Sequence, residues 1–238
     1  MIDFHYPDEM EDSLFGTLPH WSKLTPKVEK SANQVMILGH MTTKHKLVAA
    51  GVSSNFMHQL YQKEGWFTAT DQFLIRVFAE NIFFHLSSCL DALGHEVSQI
   101  FQVQLPFERV QIDHMNNQKN CLRCLLQRKD VAFASFLDSE LPQKGSQPGH
   151  WYHAFTEYRN QVVHRTLYVV LAGPKAMVLP DNPTNLNPRV SLKDHTSPTY
   201  YFDPDYHEQR EIRKYTLDCI YEVRDTVEKI YAKLDGKI

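Results

Sequence analysis

The sequence predicts a mainly α-helical protein, an up-and-down bundle of four to six helices with a small β-hairpin excursion between the last two. Three observations carry this reading. From Thr70 to Ile100 the apolar residues recur with a helical period for about thirty positions. A second helical segment begins near His150 and ends after Arg165, where the texture turns to β-type residues. A third, late in the chain, sets Ile212, Tyr215, Ile220, Val223, Val227, Ile230 and Tyr231 along one side. Apolar residues make up 42% and charged residues 22% of 238, the balance of a globular chain that buries one large core.

Taken in order, residues 1–24 keep no steady period and read as an irregular arm carrying Trp21. Residues 25–238 read as a single domain. Thr25-Pro26 has the chemistry of a helix start, a hydroxyl cap followed by proline in the first turn. Gly39, Gly51 and Gly65 make the region up to Gly65 read as helix with breaks. In the long central helix Phe73, Leu74, Val77, Phe78, Ile82, Phe83, Leu86, Leu90, Leu93, Val97 and Ile100 line one face, and Leu105-Pro106 ends it. Residues 107–113 alternate loosely, as a short strand or linker does. A helix from Asn116 or Asn117 runs through Leu122, Leu125, Phe133 and Phe136 to the Pro142–Gly149 loop. In the helix near His150, Trp151, Phe155, Tyr158 and Val162 form the apolar stripe. His153, Glu157, Asn160 and His164 repeat that spacing on nearly the opposite side. The β insertion, about 166–203, holds a run from Leu167 to Leu171, a Gly173-Pro174 turn and a return over 176–179. Val190–Leu192 and Tyr200–Phe202 add short strands, and Asp203-Pro204-Asp205 opens the last helix.

A net charge of −3 argues against a broadly basic nucleic-acid surface and leaves room for a local cationic site. Arg76, Glu80 and Asn81 interrupt the most apolar stretch, so no window is read as a membrane span. The acidic N-terminus lacks the pattern of a signal peptide. Four cysteines read as reduced thiols, and the expected location is cytoplasmic.

The stretch Tyr158-Arg159-Asn160-Gln161-Val162-Val163-His164 carries the most chemistry. Arg159 is a permanent cation with a fork of donors suited to phosphate. His164 trades a proton near neutral pH, and Asn160, four residues before it, lies on the same helix face. Arg followed by His at similar spacing also occurs at Arg109…His114 and Arg189…His195, but only Arg159 has Asn directly after it. The competing reading of the stripe is a wet helix face with Arg159 in an ordinary surface ion pair.

A helical bundle whose late helix carries Arg-Asn-x-x-x-His resembles the HEPN superfamily, over roughly residues 25–165 and 204–235; the β insertion departs from the family's minimal pattern. The resemblance implies a homodimer and a metal-independent endoribonuclease that cleaves RNA by 2′-hydroxyl attack, leaving a cyclic phosphate and a 5′-hydroxyl. Arg159, Asn160 and His164 then form the catalytic set. His164 acts as general acid or base, Arg159 stabilises charge on the phosphate, and Asn160 orients either, with Glu157 and His153 as secondary candidates. No cofactor and no metal is called for. Expected partners are a second copy of the chain, RNA or a nucleotide, and an antitoxin-like protein, with no membrane. The alternative is a non-catalytic dimeric scaffold binding a nucleotide, RNA or a protein.

Rival motifs are weaker. Cys121-Leu122-Arg123-Cys124 lacks a second ligand pair for zinc and the strand–helix setting of a thioredoxin. Neither His95-Glu96 nor His207-Glu208 extends to a two-histidine zinc motif, and no glycine-rich phosphate loop occurs. His85 and His95 are expected near the bundle's apolar face as satisfied core residues.

Overall fold

The computed structural model describes residues 18–61, 68–112, 121–142, 147, 150–164, 169–171, 189–191 and 210–238. Its helices are α1 (Pro19–Lys30), α2 (Gln34–Tyr61), α3 (Ala69–Ile100), α4 (Leu122–Lys129), α5 (Val131–Glu140), α6 (Trp151–His164) and α7 (Ile212–Leu234). The chain is mainly helical, as its periodicity predicts, but the described residues hold seven α-helices and not four to six, because a helix begins ahead of Thr25 and the one expected through Phe136 is split at Asp130. Three short antiparallel strands, β1 (Val169–Leu171), β2 (Arg189–Ser191) and β3 (Arg210–Glu211), pair in that order. The expected hairpin return over 176–179 and the strand at Tyr200–Phe202 lie outside the described residues.

Several boundaries differ from the sequence reading. The first helix starts at Pro19, not at Thr25, and runs through Pro26. Its free N–H groups at His20 and Trp21 are met by the Glu228 carboxylate of α7, at 2.8 and 3.4 Å. The cap comes from the far end of the chain, so no local signal marks it. Gly39 and Gly51 do not break α2. A Cβ on Gly39 would stand 3.1 Å from the Ala92 carbonyl and 3.3 Å from Glu96 Cβ, so this glycine lets α2 and α3 approach closely. The central helix ends at Ile100, short of Leu105-Pro106, and is capped at its start by a reciprocal Thr68–Asp71 pair. Residues 107–109 form a 3-10 turn. The helix expected through Phe136 is two helices, because Asp130 turns its backbone out and accepts the Phe133 N–H at 2.9 Å. The last helix begins at Ile212, while the Asp203–Asp205 start falls outside the described residues.

α3 is the spine. Contrary to the sequence reading, Phe73–Ile100 is long and apolar enough by length and composition to cross a membrane. Arg76 and Glu80 pair with each other at 2.8 Å, one turn apart on the helix. Here the segment packs against α2, α6 and α7. α2 runs antiparallel to it, with Asn33 beside Gln99, His40 beside Glu96 and Phe56 beside Phe78.

At the Glu96 end lies a polar cluster sealed from water. Tyr231 of α7 donates to Glu96 Oε2 at 2.7 Å, and His40 Nδ1 of α2 lies 2.9 Å from Oε1. Thr25 Oγ1 of α1 meets His40 Nε2 at 2.9 Å, and Trp21 stacks on the imidazole at 4.8 Å and 2°. Glu96 and Tyr231 are 0% exposed and His40 1%. Burial first, and then the Glu96 carboxylate, push the Tyr231 hydroxyl far above its ordinary range, so it stays a donor.

Removing the Glu96 side chain takes the partner from the buried Tyr231 hydroxyl and from the buried His40 Nδ1 at once. Glu96→Ala is expected to lower the unfolding free energy by on the order of 3 kcal/mol in a urea titration. A loss below roughly 1 kcal/mol, the value of an ordinary exposed pair, would show that the cluster does not organise the bundle.

Candidate functional site

α6 carries the motif. It is seated by aromatic packing: Phe83 of α3 stacks on Tyr158 at 5.5 Å and 7°, meets Phe155 at 6.1 Å, and Tyr158 meets Tyr215 of α7 at 4.8 Å. Tyr152, Phe155 and Tyr158 form the buried stripe, whereas Trp151, expected there, is half-buried. Phe155 and Tyr158 have no exposure, so the residue before Arg159 is locked.

Arg159 is half-buried at the margin of that stripe, one turn beyond Phe155. At about 100° per residue, backbone position 159 stands about 40° round the helix from position 155. Position 160 stands about 140° from it, and position 164 about 180°. Asn160 and His164 therefore share the side of α6 that faces away from the core stripe, and α6 ends at His164. Positions 159 and 164 diverge by about 140° on one helix. The backbone position of Glu157 falls on the outer side as well. His153 is half-buried, its Nε2 meets no hydrogen-bond partner among the described residues, and its ring stands edge-on to His150 at 6.3 Å.

The remaining histidines divide by environment. His85 does not fit the satisfied role read from the sequence, because its Nδ1 is buried without a hydrogen-bond partner among the described residues. Its pKa is lowered, first by burial and then by Lys46 and His45. His95, stacked on Phe107 at 3.9 Å, is lowered by burial. His150 is lowered by burial first and then by His153. His40, joined to Glu96 and Tyr231, is the histidine that sequence reasoning missed. Its one sequence signal was Glu96 itself, a charge next to Val97 in the apolar stripe of α3.

Among the described residues no three His, Cys, Asp or Glu side chains gather as metal ligands would. An open depression of about 620 Å³ at the end of α3 is lined by Asn33, Gln99, Gln102 and Gln104 together with Pro106, and contains no α6 residue. Comparison with family models, curated proteins and solved structures returns no match to this chain.

The three lowered histidines fix the sign of one pH effect. The folded state holds His85, His95 and His150 neutral below the ordinary value near 6.5, where the unfolded chain takes up protons. Their contribution is fully present above about pH 6.5 and is lost as pH falls through their lower folded values. The lowered Asp130 and Asp235 act only in more acid solution, below the usual carboxylate range. The urea midpoint should therefore fall between about pH 7 and about pH 5, and His85→Gln should flatten part of that slope. A midpoint that holds or rises over this range would contradict the assignment.

Proposed function

We propose that the chain is an HEPN-like protein whose α6 surface binds a phosphodiester and cleaves RNA without a metal. The observation that carries this reading is the placement of Arg159, Asn160 and His164 on one continuous helix. The core holds that helix through the Phe83–Tyr158–Tyr215 stack. A site on a packed helix keeps its geometry better than one on a loop. Arg159 supplies a cation for phosphate, and His164 supplies the proton transfer that 2′-hydroxyl attack and departure of the 5′-oxygen require.

The divergence of positions 159 and 164 shapes the proposal further. One α6 does not turn both residues toward one phosphate. Two α6 helices, from two copies of the chain, bring Arg159 of one beside His164 of the other, as in the homodimer that the resemblance implies. Neither a cofactor nor a metal enters this scheme. An antitoxin-like protein that covers the α6 surface is a compatible partner, and cytoplasmic RNA is the matching substrate pool.

A second reading, a dimeric scaffold without catalysis, is favoured by one feature. Arg159 is half-buried at the margin of the buried stripe, a position where an arginine stem can serve packing alone. Turnover and binding separate the two readings. In chelator, the wild type should cut end-labelled RNA, His164→Ala should lose about a hundredfold or more in rate, and binding of the same RNA should persist. Arg159→Ala should weaken both. Binding by all forms with cutting by none would establish the scaffold and remove the nuclease.

A further inference from the structure

Cys121 and Cys124 stand apart from the α6 surface, and their geometry is specific. Cys121 is the N-cap of α4, and its Sγ accepts the Cys124 N–H at 3.2 Å. The two Sγ atoms approach to 2.7 Å. The turn that presents them is pinned by the residue between them. Arg123, 2% exposed, donates from Nε to the Ile112 carbonyl at 2.8 Å, from Nη2 to the Leu141 carbonyl at 2.6 Å and from Nη1 to Asp138 at 2.8 Å. That guanidinium ties the α3–α4 connection, at Ile112, to α5 and the segment after it. The two thiols are held together by the fold, beyond what a three-residue spacing alone supplies.

Access differs between them. Cys124 is half-buried and open on one side, whereas Cys121 lies behind it at 6% exposure. Cys89 and Cys219 are buried in the core, and burial drives the Cys89 thiol far up, which makes it inert. Cys124 is the more exposed of the pair, so the first attack on an outside reagent falls to it.

We propose that Cys121 and Cys124 are a reversible dithiol–disulfide pair that exchanges with a low-molecular-weight disulfide of the glutathione type. Cys124, as thiolate, attacks one sulfur of oxidised glutathione. A Cys124–glutathione bond forms, the S–S bond of the reagent breaks, and one glutathione thiolate leaves with the electron pair. Cys121 then gives its proton to solvent and attacks Cys124 Sγ. The Cys121–Cys124 bond forms and the second glutathione leaves as thiolate. The protein dithiol is oxidised by two electrons, the reagent is reduced to two thiols, and the two protons released are taken up by those thiolates. Excess reduced glutathione runs the steps backward.

Trypsin cuts after Arg123, which separates the two cysteines in the reduced chain and leaves them joined in the oxidised one. The full-length protein is equilibrated with oxidised and reduced glutathione under native conditions, quenched by alkylation, digested and weighed. The expected result is a linked Cys121–Cys124 peptide pair that reverts with reduced glutathione, in a protein whose Cys89 and Cys219 stay unreacted. Cys121→Ser should stop at the Cys124–glutathione adduct, and Cys124→Ser should give no linked product. The proposal is overturned if the wild type accumulates the adduct without closing it, forms only intermolecular disulfides, or stays reduced in oxidised glutathione. It is equally overturned if a bound metal holds both thiols. A folded Cys121→Ser variant that shows no adduct would overturn the order of attack.

Discussion

Glu96 is a carboxylate without contact with water, in the helix at the centre of the bundle, and the other long helices are set by its two oxygens. A buried carboxylate is tolerated only when donors stand at fixed points around it. Tyr231 donates to one oxygen and His40 Nδ1 lies within hydrogen-bond distance of the other, so α2 and α7 each have one permitted register against α3. α1 joins through Trp21, stacked on the His40 ring, and Thr25 at its far nitrogen. The arrangement depends on Gly39, one position before His40, where a side chain would press on the backbone of α3. Outside this cluster, Lys23 and Lys27 pair with Asp235, which ties α1 to the end of α7 in the exposed rim where such pairs contribute little.

From Glu96 the spine runs back to Phe83, thirteen positions or about 20 Å along the helix. There the contacts change from polar to aromatic. Phe83, Phe155, Tyr158 and Tyr215 interlock, and α6 is seated by this second cluster. The two clusters divide the work. One fixes the bundle's register, and the other fixes the helix that carries Arg159, Asn160 and His164. On the proposed reading, the chemistry is placed on the outer side of α6 and needs a second copy to complete it, while the core of a single copy supplies rigidity.

The parts legible in the sequence were those written locally. α3 and α6 show uninterrupted periods, and the structure keeps the start of α3 and both ends of α6 within a residue or two, while α3 stops five residues short of Leu105-Pro106. Asp130 carried a readable N-cap signal, but apolar residues at helical spacing on both sides hid the break between α4 and α5. The start of α1 was illegible because its cap, Glu228, lies 208 positions away from His20. The Glu96 cluster was illegible for the same reason, joining residues 56 and 135 positions apart. No spacing rule reaches across such separations. Glycine misled in α2, where it serves close packing and not a turn. The candidate site was legible only as a motif: the sequence named Arg159, Asn160 and His164, and helical geometry added that Arg159 and His164 diverge.

On the proposed reading, the α6 surface supports attack by a ribose 2′-hydroxyl. The most direct measurement sets an oligoribonucleotide against the same oligonucleotide with every 2′-hydroxyl methylated, in chelator, and identifies the ends formed. Cutting of the unmodified strand alone is expected, with cyclic phosphate and 5′-hydroxyl ends. Cutting of both strands, or ends that carry a 5′-phosphate, would contradict that reading, because neither outcome is open to a reaction that begins at the 2′-oxygen.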